Sequence, residues 1–324
     1  MRRSRRWSAR KAGSRVDLST EVGSTRLPSP VMNASGTAGH ADELGDYVDL
    51  AALGAFVVKS LCVGPWKGNP APRVQMTSAG MINSVGLQGP GIASWAADDL
   101  PRLRAAGVRR IVVSIWGTSV DAFAEAAALL ADAPDEVVAL EVNLSCPNTE
   151  SGRELFAHDP ETAAAVVARC AEVAGRPVWA KLSANTDRLV EVAAGVAAAG
   201  ADAVTLINTL FGMVIDPDTR RPVLSGVGGG VSGPGIHPVA VRAVYDVHAA
   251  HPDLPIVGVG GVATGTDAVE LVLAGASAVQ VGTAVFADPR VLARVGRELE
   301  QWCVAHGVAT VRELVGAAHE TRTS

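Results

Sequence analysis

The sequence predicts an α/β fold arranged as a (β/α)8 barrel. Short apolar segments rich in β-branched residues alternate with longer amphipathic segments rich in Ala, Leu and Val, and this alternation indicates βα units around a parallel sheet. Eight such units over roughly 250–280 residues match the usual size of this barrel. A doubly wound open sheet is the structural alternative, but no Gly-x-Gly-x-x-Gly motif follows the first predicted strand, which disfavours it.

The predicted elements follow one another in regular order. The strands are Pro30–Ala34, Ala55–Ser60, Arg110–Trp116, Val137–Asn143, Pro177–Ser183, Ala203–Asn208, Pro255–Gly258 and Ala278–Gly282. The clearest helices between them are Ser119–Ala131, Pro160–Ala174, Thr186–Ala199, Pro238–Ala250 and Thr266–Ala274.

Composition and charge bound the partners of the chain. The net charge of -5 over 324 residues gives the body no general attraction for nucleic acid, and no apolar run is long enough to cross a bilayer. The four cysteines form no Cys-x-x-Cys pair and no cluster with metal spacing. We therefore expect a reduced, cytoplasmic protein that carries no metal and no iron–sulfur centre of its own.

The amino terminus differs from the rest of the chain. Residues 1–20 begin with a stretch rich in Arg and Ser and are predicted to be a basic, disordered tail. The tail has no apolar segment typical of a secretory signal, and contact of this tail with a membrane or a nucleic acid stays open. Residues 21–324 are predicted to form a single barrel domain.

Polar residues and glycines recur at the carboxyl ends of the predicted strands. In a (β/α)8 barrel these ends meet on one face, where active sites lie. A lysine at the end of a buried strand is costly unless it meets an anion, so we expect both lysines of this set to face a ligand; pairing with a core carboxylate, above all Glu141, is the alternative. The residues are Ser35, Lys59, Ser114, Asn143, Lys181, Asn208, Gly260, Gly261, Gly282 and Thr283.

Two further patterns point to the chemistry of the ligand. The glycine-rich turns after strands 7 and 8, residues 258–268 and 281–289, are typical of a phosphate site, although tight turns without a ligand have the same composition. Four asparagines suit a small planar molecule that carries amides, although turn asparagines commonly cap their own backbone. They are Asn83, which we place on a flexible turn, Asn143, Asn148 and Asn208.

Combined, these motifs resemble the class 1 dihydroorotate dehydrogenases, and most closely the class 1B branch. The matching stretches span about residues 28–290: NASGTAG, KSL, GNPAPRV, GMINSVGLQGPG, EVNLSCPN, KLSAN, LINTLFGMVID, GGGVSGPGIHP, GVGGV and VQVGTA.

The resemblance implies FMN as cofactor and the oxidation of dihydroorotate to orotate in pyrimidine biosynthesis, with Cys146 as the catalytic base. The implied substrate-binding residues are Lys59, Asn83, Ser84, Val85, Gly86, Leu87, Asn143, Asn148, Asn208 and Thr209. The implied FMN-binding residues are Ser35, Lys59, Ser60, Ser114, Asn143, Lys181, Ile207, Gly233, Gly260, Gly261, Gly282 and Thr283.

The implied reaction assigns a task to each of three groups. The substrate loses a proton to Cys146, whose thiol is tuned by nearby charge and by exclusion of water, and a hydride to N5 of the flavin. Lys181 is predicted to face the N1/O2 edge of the flavin, and Lys59 to lie between flavin and substrate. The loop at residues 143–152 is predicted to close over the pocket.

Class 1B enzymes pass electrons to NAD through a separate iron–sulfur/FAD subunit, so the resemblance implies such a partner and a homodimeric core. The electron acceptor stays open, with fumarate or a quinone as alternatives. The chain departs from the family at Ser114, where asparagine is common, and at His237, where lysine is common and where we expect a surface loop. The alternatives are therefore an FMN oxidoreductase acting on another dihydropyrimidine and a non-catalytic flavin-binding subunit.

Overall fold

A computed structural model describes residues 16–145 and 156–319 of the chain. The strands of this part are β1 (Thr20–Val22), β2 (Thr25–Leu27), β3 (Val31–Asn33), β4 (Phe56–Leu61), β5 (Val74–Thr77), β6 (Gly80–Asn83), β7 (Ile111–Ile115), β8 (Val137–Asn143), β9 (Val178–Lys181), β10 (Ala203–Leu206), β11 (Leu210–Gly212), β12 (Ile215–Asp216), β13 (Arg221–Pro222), β14 (Gly229–Ser232), β15 (Ile256–Val259) and β16 (Ala278–Val281).

Helices follow most of the barrel strands. They are α1 (Ile92–Ser94), α2 (Leu100–Ala105), α3 (Val120–Ala128), α4 (Pro160–Val173), α5 (Leu189–Ala198), α6 (His237–Ala250), α7 (Gly265–Ala274), α8 (Ala284–Ala287) and α9 (Val291–Ala305). A π-helical turn, Trp95–Asp99, joins α1 to α2, and short 3-10 helices lie at Leu50–Ala52, Phe156–His158, Pro234–Ile236, Val311–Leu314 and Ala317–His319.

Eight parallel strands form the barrel in the order β3-β16-β15-β10-β9-β8-β7-β4. The predicted (β/α)8 architecture is confirmed. The two ends of this order, β3 and β4, are joined by the fully buried side chain of Asn33, whose amide nitrogen donates to the carbonyl of Val57 at 2.7 Å and whose amide oxygen accepts from the N–H of Val57 at 2.9 Å. One asparagine amide therefore supplies both a donor and an acceptor at the seam where the barrel closes.

The interior of the barrel is apolar at one end and polar at the other. The hairpin of β1 and β2 places Val22 and Leu27, both fully buried, against residues near the amino ends of the barrel strands, among them Met32 and Trp179. Among the described residues this plug fills the amino-terminal end, so we expect a ligand to enter at the carboxyl end. Truncating Leu27 to Ala would cost about 2–5 kcal/mol.

A second sheet, antiparallel, lies beside the carboxyl end of the barrel, in the order β11-β14-β6-β5. It joins a hairpin at residues 74–83 to the segment 210–232, and Asn83 pairs with both Val74 and Gly230. The prediction that Asn83 lies on a flexible turn was wrong, because this residue ends strand β6 and is held on both sides.

Two further predictions need correction. The packed chain begins before residue 20: Val16 is buried, and the backbone N–H of Asp17 donates to the carbonyl of Ala309 at 3.0 Å. His237, expected in a surface loop, begins α6 and is buried, because its ring fills the space between the turn after β15 and helix α7. Among the helices described, none has both the length and the hydrophobicity required to cross a membrane.

Candidate active site

A cavity of about 660 Å³ opens at the carboxyl end of the barrel. It is bounded by the ends of the barrel strands, by the segment 83–87, by the antiparallel sheet and by the turns after β15 and β16. The predicted convergence of strand ends on one face therefore holds.

A chain of hydrogen bonds crosses the floor of the cavity. Asn208 donates through its amide to the amide oxygen of Asn143 at 3.0 Å, and Asn143 donates to the hydroxyl of Ser60 at 3.3 Å. The Ser60 hydroxyl in turn lies 3.3 Å from that of Ser35. Side chains from four parts of the barrel are thereby fixed relative to one another before any ligand binds.

Lys181 lies on this floor and is 5% exposed. Its ammonium lies 3.3 Å from Oε1 of Glu141, which is fully buried. The sequence left two roles open for Lys181, facing a ligand and pairing with a core carboxylate. In the structure Lys181 both borders the cavity and pairs with the buried carboxylate of Glu141.

Lys59 lines the same cavity and is half-buried. Among the described residues, no carboxylate lies within ion-pair distance of its ammonium. Burial, and then the positive charge of Arg73, lower the pKa of Lys59. This lysine is therefore the cation that an anionic ligand would neutralise.

The lining as described contains no Asp or Glu. Besides the two lysines it presents amides and hydroxyls, including those of Asn69, Asn83, Asn143, Asn185, Asn208, Ser35, Ser60, Thr209 and Thr283. Two cations among neutral donors and acceptors favour an anionic ligand with several hydrogen-bonding groups.

The turn after β15 consists of Gly260 and Gly261, with φ of +145° and +71°. A Cβ at residue 260 would lie 2.5 Å from the Cβ of Ala240, and one at residue 261 would lie 2.6 Å from the Cβ of His237. His237 also fixes the turn from behind, with Nδ1 2.8 Å from the Gly260 carbonyl and Nε2 3.1 Å from Glu270. Glycine is therefore required here by the packing of α6, and the turn presents backbone to the cavity.

Asn185, which the site prediction omitted, organises the wall next to Asn208. Its amide nitrogen donates to the carbonyl of Thr209 at 3.0 Å, and its amide oxygen accepts from the N–H of Phe211 at 2.8 Å. Asn185 belongs to the KLSAN stretch that contributed to the family resemblance, which is the signal that could have identified it. The sequence does not show that this asparagine bridges to a segment 24 residues away.

Most of the predicted site residues meet at this cavity. Ser114 does not line it: the side chain is fully buried behind Ser60, with the two hydroxyl oxygens 2.9 Å apart. Cys146 and Asn148 lie outside the described residues, whereas the preceding Ser145 lines the cavity. The predicted residues that line it are Ser35, Lys59, Ser60, Asn83, Ser84, Val85, Gly86, Leu87, Asn143, Lys181, Ile207, Asn208, Thr209, Gly233, Gly260, Gly261, Gly282 and Thr283.

Lining residues that the prediction missed come largely from outside the barrel strands. Thr37, Asn185, Ser232 and Phe286 are examples, and Thr283 donates to the hydroxyl of Ser232 at 2.7 Å. Thr37 and Asn185 lie in connecting segments, Ser232 ends the short strand β14 and Phe286 lies in the four-residue helix α8. In such short elements neither periodicity nor barrel-strand position indicates which side chains turn inward.

Comparison with known proteins places this arrangement in a family. The family model described as dihydroorotate dehydrogenase matches residues 17–302. The catalytic subunit of dihydroorotate dehydrogenase B (NAD(+)) from Desulforudis audaxviator is 48% identical over 95% of this chain and 99% of its own length. The same subunit from Trichlorobacter lovleyi is 47% identical over 93% and 98%.

A solved structure, DHODH from Eimeria tenella in complex with ferulenol, covers 97% of this chain and 92% of its own with a TM-score of 0.77. At 21% identity this likeness supports the barrel fold alone. The family match and the two bacterial relatives carry the assignment: this chain belongs to the dihydroorotate dehydrogenase family.

Proposed function

We propose that this chain is the catalytic subunit of a dihydroorotate dehydrogenase, an FMN-dependent oxidoreductase that converts dihydroorotate to orotate in pyrimidine biosynthesis. The observation that carries the proposal is the cavity at the carboxyl end of the barrel, whose described lining holds Lys59 and Lys181, several amides and no carboxylate. Dihydroorotate is a small, amide-bearing anion, and this lining complements it.

The described residues fit FMN. A cavity of about 660 Å³ lies within the usual range for a cofactor site, roughly 300–1,000 Å³. Ser84 and Ser145 line it, and their hydroxyl oxygens are buried without a hydrogen-bond partner within the described parts of the chain. Such unsatisfied groups are candidates for hydrogen bonds to a ligand.

We assign the binding of FMN to the predicted set that borders the cavity. The backbone at Gly260, Gly261, Gly282 and Thr283 would hold the phosphate, and Ser35, Ser60 and Lys181 would hold the ring system. When bound, FMN supplies the hydride acceptor. Ser114 contributes by fixing Ser60 rather than by direct contact.

Lys59 binds the anionic substrate, because its ammonium is not neutralised by any described carboxylate and burial has lowered its pKa. An adjacent anion favours the charged lysine. Asn83, Asn143, Asn148 and Asn208 orient the ring through amide contacts, and the described part of this set already bonds within itself and to the neighbouring sheet.

Cys146 is the proposed proton acceptor. The residue directly follows Ser145, which lines the cavity just after the end of β8. Nearby charge and polar contacts can bring the pKa of a thiol towards neutral pH in a site that excludes water. The predicted closure of residues 143–152 over the pocket stays a prediction, because residues 146–152 lie outside the described part of the chain.

The partners follow from the relatives. They are named catalytic subunits of a NAD(+)-linked enzyme, so we propose that electrons leave through a second subunit that carries FAD and an iron–sulfur centre. A homodimeric core is proposed with it.

Anaerobic reduction tests the function. The purified protein, reconstituted with FMN, should be yellow, and dihydroorotate should bleach it in the absence of oxygen. Bleaching by dihydrouracil alone would point to another dihydropyrimidine, and no bleaching by either would point to a non-catalytic flavin subunit. Reoxidation by NAD, fumarate or a quinone, with and without the second subunit, then identifies the acceptor.

Variants of the base test the role of Cys146. Cys146→Ala should retain FMN and lose most of the rate of flavin reduction at pH 7. Cys146→Ser should be slow at neutral pH and recover in part at high pH, because a hydroxyl is the poorer proton acceptor. A Cys146→Ala variant reduced as fast as the native protein would refute the assignment.

A further inference from the structure

Glu141 is a fully buried carboxylate with every partner on another barrel strand. Its Oε1 accepts from the ammonium of Lys181 at 3.3 Å. Its Oε2 accepts from the amide of Gln280 at 2.8 Å and from the hydroxyl of Thr205 at 3.2 Å. Both oxygens are thus used, and the carboxylate is fixed from β9, β10 and β16.

Only one of these partners reaches the ligand site. Lys181 lines the cavity, whereas Thr205 and Gln280 are fully buried and lie outside the lining. Any influence of Glu141 on a bound ligand is therefore exerted through the position and the charge of the Lys181 ammonium.

We propose that Glu141 is a positioning residue that fixes the Lys181 ammonium at the cavity floor and offsets part of its charge, so that the pair sets the relative affinity of the site for oxidised and reduced FMN. This inference rests on the proposed function. It makes the two lysines of the cavity unequal: Lys59 presents its full charge to the ligand, and Lys181 presents a charge reduced by its partner.

The physical reason is the low polarisability of the barrel interior, where charges interact far more strongly than in water. Reduction adds electrons to the flavin, so a nearby uncompensated cation favours the reduced state. Glu141→Gln keeps the size of the side chain and removes its charge, which leaves the ammonium uncompensated. Its amide nitrogen donates where a carboxylate oxygen accepts, so at least one of the present hydrogen bonds must be remade.

Redox titration of the FMN-loaded protein at pH 7 measures the effect. Glu141→Gln should raise the affinity for reduced over oxidised FMN by about tenfold, which moves the midpoint potential upward by about 30 mV for a two-electron couple. Thr205→Val removes one hydrogen bond to Glu141 without changing charge, and it should alter the ratio by less than about twofold.

A double-mutant cycle identifies the route. In a Lys181→Met background there is no ammonium for Glu141 to position or to offset, so Glu141→Gln should then leave the potential unchanged. The inference would be overturned if Glu141→Gln shifted the potential equally in the native and Lys181→Met backgrounds, or if it caused no shift in the protein that retains Lys181.

Urea unfolding of the FMN-free proteins is the second measurement, and it remains informative if Glu141→Gln loads FMN poorly. Glu141→Gln and Lys181→Met should each lower the urea concentration at the midpoint of unfolding, and the double variant should lower it by less than the sum of the two. Additive losses would contradict the pairing. Failure of dihydroorotate to reduce the native protein would defeat the proposed function but leave this cycle intact. Normal reduction with unshifted potentials would defeat only the inference.

Discussion

The floor of the cavity and the antiparallel sheet at its rim are built in opposite ways. The floor consists of side chains from barrel strands and from the residues that follow them. Its members are buried or half-buried, and several are bonded to one another, as in the run from Asn208 through Asn143 to Ser60. The rim is held by backbone pairing between short, glycine-rich strands, and it exposes apolar side chains such as Met76 and Phe211. We therefore expect the floor to set the charge of the site and the orientation of a ligand, and the rim to control access to the site.

Within the floor, Lys59 and Lys181 make the comparison sharper. Lys181 is paired with Glu141, and its charge contributes to the fold as well as to the site. Lys59 has no such partner among the described residues, so its charge is available to a ligand. Removal of Lys59 should therefore lower mainly the catalytic activity, whereas removal of Lys181 should lower mainly the free energy of unfolding.

The largest expected effect is the loss of catalytic activity in the Lys59→Met variant. Truncating one member of a buried charge pair costs about 2–5 kcal/mol, so kcat/KM for dihydroorotate should fall by at least about 30-fold, while the fold is retained. Lys67→Met is the matched control, because Lys67 is exposed and lies outside the lining. Steady-state kinetics that placed both variants near the native value would remove Lys59 from the site.

For stability the order of the two lysines should reverse. Lys181→Met leaves Glu141 buried without its counter-charge, which should lower the free energy of unfolding by about 3–5 kcal/mol. Lys59→Met removes a half-buried cation without a carboxylate partner, and it should change that quantity by less than about 1 kcal/mol. Urea unfolding of the FMN-free variants measures both, and equal losses would contradict the distinction.

The floor could be predicted from sequence because parallel strands buried on both faces are written as continuous apolar runs. The strand Val137–Asn143 was placed with the observed bounds, and the polar residues at the strand ends converge as expected. Glu141 was recognised as the main core carboxylate, but whether Lys181 faced it or a ligand depends on side-chain distances that sequence does not contain.

The rim could not be predicted. Its strands are three or four residues long, too short for an alternating pattern to stand out. Its central pairing joins Asn83 to Gly230, which lie 147 residues apart. The same limit applied to His237, whose burial follows from contacts with Gly260 and Glu270 across the chain.

A glycine at the rim tests whether access is controlled there. Gly80 has φ +148°, and a Cβ at this position would clash with the backbone carbonyl of Ser232. Gly80→Ala should therefore strain the sheet by about 1–3 kcal/mol and raise KM for dihydroorotate several-fold.

Gly296→Ala is the control for that variant, since Gly296 lies in α9 and a Cβ there meets nothing within 4 Å. It should raise the free energy of unfolding by about 0.5–1 kcal/mol and leave KM unchanged. If Gly80→Ala instead released FMN with KM unaltered, the rim would serve the cofactor rather than the substrate.

The smallest expected effect is a difference in thiol reactivity between the barrel body and the segment that leads to the rim. Burial raises the pKa of Cys170 to about 12 and that of Cys303 to about 11, while Cys62, just after β4, is half-buried. In a Cys146→Ala background, a disulfide reagent at pH 8 should label Cys62 in the native protein and the other two cysteines only after unfolding.

The raised thiol pKa values also fix the direction of a pH effect. Between the ordinary thiol value of 9.0 and about 11, the folded chain keeps protons on Cys170 and Cys303 that the unfolded chain releases, so the free energy of unfolding should fall as pH rises through this range. Cys170→Ala and Cys303→Ala should each reduce that slope, whereas Cys62→Ala should reduce it less. A slope unchanged by either buried variant would show that other groups govern stability in alkali, and early labelling of Cys170 would place solvent access in the barrel body rather than towards the rim.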